Sequence, residues 1–205
     1  MQQFKLDNTT ITKIAGICGI LAPLVVFSCI GLAMVHAPWF IWIQNALSDL
    51  GVESASALLF NCGMVIGGVL LLVFSLGLAR IISNKIGAHI LSLSALALIG
   101  IGLFPETIFP THFIISASFF ILLAISLLVI GLGAKQDPFE RRMGAFAVLF
   151  AVLAISSTTF LLIFEGVAIS ESLSCFPAFL WCMLYGIKMA LGQPSPTDFK
   201  EALAN

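Results

Sequence analysis

The side chains best suited to chemistry in this sequence are five carboxylates and two imidazoles: Asp49, Glu53, Glu106, Glu165 and Glu171, with His36 and His112. Such nitrogen and oxygen donors can ligate zinc or another divalent ion, and His36, His112 and Asp49 form the candidate metal set. In a catalytic reading, Asp49 and His112 position a water or a metal, and Glu165 or Glu106 acts as base. The spacing offers no local support, because no HxxxH or HExxH occurs. The set forms only if separate helix ends converge at one face. Thr111-His112 directly after Pro110 reads equally well as a helix start.

A second cluster is Asn45-Ala-Leu-Ser48-Asp49-Leu-Gly51, leading to Glu53 and then to Asn61 inside an apolar stretch. Asn45, Ser48, Glu53, Asn61 and Glu106 are the candidate binding residues, able to hold a headgroup, a metal or a proton. The competing reading makes Asp, Ser and Gly the turn and cap residues between two helices. Asn61 reads as glue, an amide that faces the interior of a helix bundle and bonds across it. Gly63 and Gly67 form a small-xxx-small pair of the kind that lets helices approach closely. His89 stands apart and reads as a hydrogen-bonded core histidine. The five cysteines form no CxxC and no zinc-like spacing, and only Cys175 reads as near a surface.

These residues must be positioned by helices in lipid. Of 205 residues, 60% are hydrophobic and 9% charged, against roughly 25% charged in ordinary soluble domains. Apolar runs cover about 14–35, 56–79, 86–104, 113–134, 143–166 and 173–191, each near the roughly 20 residues that cross a bilayer core as a helix. They predict one membrane domain over 1–192 and a cytoplasmic tail over 193–205. With six spans, all nine basic residues fall on one side: Lys5, Lys13, Arg80, Lys85, Lys135, Arg141, Arg142, Lys188 and Lys200. The positive-inside rule puts that side, with both termini, in the cytoplasm. The opposite face is wholly acidic. Its longest loop runs from His36 to Gly51, and Trp39 and Trp42 predict a short interfacial or re-entrant helix in it, with Pro38 able to occupy the first turn.

Asn45-Ala-Leu-Ser-Asp-Leu-Gly, Leu59-Phe60-Asn61, Gly102-Leu-Phe-Pro105 and His112 together resemble a family of uncharacterised six-helix archaeal and bacterial membrane proteins, a domain of unknown function. The resemblance covers nearly the whole chain. The Ser-Asp-Leu-Gly loop is also distantly similar to the Ser-Asp-x-Gly loop of the FRAG/DRAM/Sfk membrane family, which implies lipid-related work and carries over no catalytic residue. The ceramidase and adiponectin-receptor proteins hold zinc with three histidines and an aspartate. Here His89 falls at the other end of the helices from His36 and His112, so that likeness fails.

The expected fold is therefore an all-α, six-helix membrane bundle, N-in and C-in, in the cell membrane. The expected function is to bind or move a lipid or small solute, or to assist a membrane partner. The alternative is a membrane-embedded, metal-dependent hydrolase or transferase acting on a lipid headgroup at the outer face. Membrane lipid is the expected partner, with a second copy or another membrane protein beside it; nucleic acid is not expected.

Overall fold

A computed structural model describes residues 8–135 and 137–192. Six helices carry the chain: α1 Asn8–Val35, α2 Ser54–Leu78, α3 Lys85–Leu103, α4 Thr111–Gly133, α5 Pro138–Ser157 and α6 Ala168–Leu191. Two short 3-10 helices, Leu47–Gly51 and Thr158–Leu162, sit in the connections at one end, and no strand occurs among the described residues. All six helices are long and apolar enough to cross a membrane. Each packs on its neighbours in sequence, and α1 closes the ring against α6.

The physical reason is that the helices are apolar all round, so a single core cannot absorb them. Phe74, Leu91, Leu127 and Trp181 fill the interior, while Leu58, Ile86, Phe113 and Leu132 point outward. Lipid accepts those outward side chains, and close backbone approach then has to hold the helices together. Gly63 of α2 lies against Cys29 of α1, and Gly67 lies against Val26; a methyl group on either glycine would overlap its neighbour. This is the packing that the small-xxx-small pair predicts.

Polar groups tie the helix ends. Asp137 caps α5 by accepting the Glu140 N–H at 2.8 Å, and Pro138 occupies the first turn. Asp137 also pairs with Lys188 of α6 at 2.9 Å, and the Lys188 ammonium lies 4.2 Å from the Phe139 ring centroid. Hydrogen bonding to Lys188 holds the Asp137 carboxyl below its usual range. Buried Glu140 accepts both the N–H and the hydroxyl of Ser83 at 2.7 Å. The seven basic residues among those described all lie at this end of the bundle, where α1 begins and α6 ends.

Four boundaries differ from the apolar runs. Helix α1 is already formed at Asn8, and α5 starts at Pro138 rather than 143, because its polar first turn is capped by Asp137. Helix α5 ends at Ser157 and tightens into the Thr158–Leu162 helix, and α6 starts at Ala168 rather than 173. The first loop does hold a short helix, but at Leu47–Gly51 rather than over Pro38 to Trp42. Residues 36–46 form turns, and most of the short helix is buried against the bundle. Asn45 takes the Ile41 N–H at 2.8 Å, so a side chain occupies a backbone donor that a helix over Trp39 and Trp42 would have used. Cys175 is buried within α6, not near a surface. His89 is an exposed residue on α3, not a core histidine. The predicted tail, 193–205, lies outside the described residues.

Candidate functional site

The candidate site forms at the opposite end of the bundle from the basic residues, where three connections fold over the helices. The 163–167 segment docks on the first loop through backbone bonds: Gly166 N–H to Ile43 O at 2.9 Å, and Val167 and Ala168 N–H to Asn45 O at 3.1 and 3.0 Å. Only glycine fits at 166, because any Cβ would run into the backbone of Gln44 and Asn45. The 47–51 helix is held from below by Asn61, whose amide donates to Gly51 O at 3.0 Å.

This framework brings three carboxylates together. Asp49 accepts the Asn45 amide at 2.8 Å and the Ala46 N–H at 3.0 Å. Glu106, from the α3–α4 connection, accepts the Ser48 hydroxyl at 3.2 Å and hydrogen-bonds to Asp49. Glu171, in the first turn of α6, accepts the Leu47 N–H at 2.6 Å across 124 residues of chain. Partial burial of Glu106, and then the hydrogen bond and negative charge of Asp49, lift its carboxyl from 4.5 to about 7. The Ser48 bond opposes that rise. Two carboxylates in contact hold one proton most easily, and the pair titrates as a unit.

A pH signature follows. The folded-state value for Glu106 lies above its unfolded value, so the folded form binds the extra proton between them. Stability is therefore expected to fall as pH rises from about 4.5 to about 7. Thermal unfolding across that window should show the decline in the wild-type chain and a flatter profile in Glu106→Gln. Equal slopes would place the shared proton elsewhere.

Beside the carboxylates a cavity of about 670 Å³ opens between α4, α5 and α6. Ser48, Asp49, Glu106, His112, Glu165 and Glu171 line its mouth, and Phe113, Ile121 and Ile155 line its flanks. Its α4 wall runs from His112 to Ala124, which at roughly 1.5 Å per residue is about 18 Å. His112 is buried, with Nδ1 2.6 Å from Phe104 O and Nε2 3.1 Å from the Ser116 hydroxyl. It ties the end of α3 to the start of α4, and both ring nitrogens are engaged.

The residues singled out from sequence thus divide. Ser48, Asp49, Glu106, His112 and Glu165 reach the cavity, with Glu165 exposed at its rim in the loop after α5 rather than on that helix. Asn45 braces Asp49 and Asn61 braces the 47–51 helix. Glu53 is exposed and accepts the Trp39 indole N–H at 2.9 Å, and His36 is exposed at the end of α1. No three His, Cys, Asp or Glu side chains stand close enough to hold a metal among the described residues, so His36, His112 and Asp49 are not assembled as a ligand set. Sequence reasoning placed Glu171 in the loose acidic group only and passed over Ser116. The signal for Glu171 was its place in the first turn of a helix that begins earlier than its apolar run. No curated protein and no solved structure matches the chain. One family model, described as a protein of unknown function (DUF998), matches residues 20–188, and the chain belongs to that family.

Proposed function

We propose that this membrane protein binds an amphiphile taken sideways from one leaflet, its tail along the α4–α5–α6 groove and its headgroup at the carboxylates. The observation that carries this reading is the cavity's polarity. Its flanks are mostly apolar along the α4 wall of about 18 Å, close to the roughly 15 Å of one leaflet's hydrocarbon. Its mouth offers carboxylates, His112 and hydroxyls, with no Lys or Arg. Anionic headgroups are repelled by that field, whereas amine-bearing or hydroxyl-rich ones are favoured. With the basic end in the cytoplasm, the mouth faces outward and the protein works on the outer leaflet of the cell membrane.

The test is native mass spectrometry of the gently solubilised full chain, beside a plugged variant, Ala154→Trp. Amine-headgroup amphiphiles retained by the wild type and lost from the plugged variant are the expected result. Anionic lipid retained equally by both would overturn the reading.

A second reading, a membrane-embedded hydrolase or transferase, has one observation in its favour: the Asp49–Glu106 pair is arranged to hold and release a proton. Under that reading Glu106→Gln abolishes turnover of a headgroup ester while amphiphile retention persists. The engaged ring of His112 and the rim position of Glu165 favour binding over catalysis.

A further inference from the structure

We infer that the chain holds a second binding site, an inner chamber opening off the groove, which takes a compact apolar group tipped by a protonated amine. The chamber has a volume of about 170 Å³ and lies among α1, α2, α3, α4 and α6. Its body is walled by side chains such as Ile30, Met64, Leu98 and Phe179. Ser48, Ser116, Phe120 and Glu171 line both this chamber and the larger cavity, so they mark the boundary between the two, the neck through which a ligand would pass.

The polar groups at that neck define the ligand's tip. Ser48 gives its proton to Glu106, and Ser116 stands 3.1 Å from His112 Nε2, so their oxygens are left to face the chamber as acceptors. The buried Ser172 hydroxyl lines the chamber and has no hydrogen-bond partner among the described residues. Such a group costs free energy until something meets it. Glu171 accepts the Leu47 N–H through one oxygen, and its other oxygen makes no hydrogen bond among the described residues. The neck is therefore rich in acceptors, and Glu171 adds a carboxyl that a bound cation would hold ionised. An ammonium group brings three donors and the complementary charge. A carboxylate or ketone brings neither.

The chamber's size sets the apolar part. An engineered apolar cavity of about 150 Å³ takes benzene, so a single ring or a short branched chain fills this one. The site is separate from the amphiphile groove in all but its neck, and it stands whether or not the groove carries a tail.

The test uses the full chain in nanodiscs of zwitterionic lipid, with benzylamine, toluene and benzoate as probes in isothermal titration. Benzylamine is expected to bind at least tenfold more tightly than toluene, and benzoate not at all. Met64→Trp, which fills the chamber, should abolish benzylamine binding. Ser172→Val should weaken it several-fold without touching the groove. In Ala154→Trp, which blocks only the groove, benzylamine binding should persist, so failure of the groove reading and failure of this one are distinguishable. Equal binding of the three probes, or unchanged benzylamine affinity in Ser172→Val, would overturn the assignment. Should Met64→Trp fail to fold, Ser172→Val decides alone.

Discussion

Trp181→Ala is expected to destabilise the folded chain by about 4 kcal/mol, in the range for truncating a buried tryptophan. The indole is fully buried in α6, its N–H donates to Met143 O of α5 at 2.7 Å, and its ring lies 5.0 Å from that of Tyr185. One side chain thus fills the α5–α6 contact and bonds across it. Lipid tails cannot enter the space left behind, because the site is closed on every side. Trp181→Phe keeps most of the volume and loses the donor, so its cost should be nearer 1–2 kcal/mol. Reversible unfolding in mixed micelles measures both. A loss below about 1 kcal/mol for the alanine variant would mean that the helices repack around the gap.

Glu171→Leu should release the first loop from α6. The 2.6 Å bond to Leu47 N–H is the side-chain bond that the loop receives from α6 among the described residues. When Glu171 is ionised the bond is charge-assisted, and bonds of that type contribute roughly 1.5–3 kcal/mol. Local opening at Leu47 should therefore become about 30-fold more frequent, the factor that corresponds to about 2 kcal/mol. Hydrogen exchange reads this at the Leu47 amide, with α2 core amides as the internal reference. Glu171→Gln keeps an acceptor and should fall between the two. If the Leu47 amide exchanges at the same rate in all three proteins, the loop is held by its backbone bonds to 166–168 instead, and the carboxylate is there for a ligand.

The transmembrane architecture was legible because bilayer thickness imposes a length on every span, and six apolar runs of that length are hard to misread. The ends of α5 and α6 were not, because Glu140, Arg141 and Arg142, or Ser170, Glu171 and Ser172, look like loop residues when only hydropathy is read. Those polar first turns are helical because caps and partners satisfy them: Asp137 for α5, and Asn45 O for the N–H groups entering α6. The same blindness hid Glu171, whose partner Leu47 lies on another element entirely. Asp49, Glu106 and Ser48 could be grouped from sequence as polar residues at one face, but not sorted by distance. His36 and Glu53 belonged to that grouping by type and sit outside the cavity by geometry. The first loop misled because Trp39 and Trp42 favour an interface wherever the backbone puts them, and so say little about its conformation.

Helix α5 meets α6 beneath the cavity through three serines. Ser157 Oγ lies 3.2 Å from Ser170 Oγ and 3.1 Å from Ser174 Oγ, and Ser170 Oγ donates back to Ser157 O at 3.0 Å. A hydroxyl with several near-equivalent partners can trade one for another without ever standing bare in hydrocarbon. The serine row can therefore yield by trading partners, while Trp181 and the Lys188–Asp137 pair fix the same two helices further along. On the amphiphile reading, any give in the groove's wall is confined to its serine-lined end.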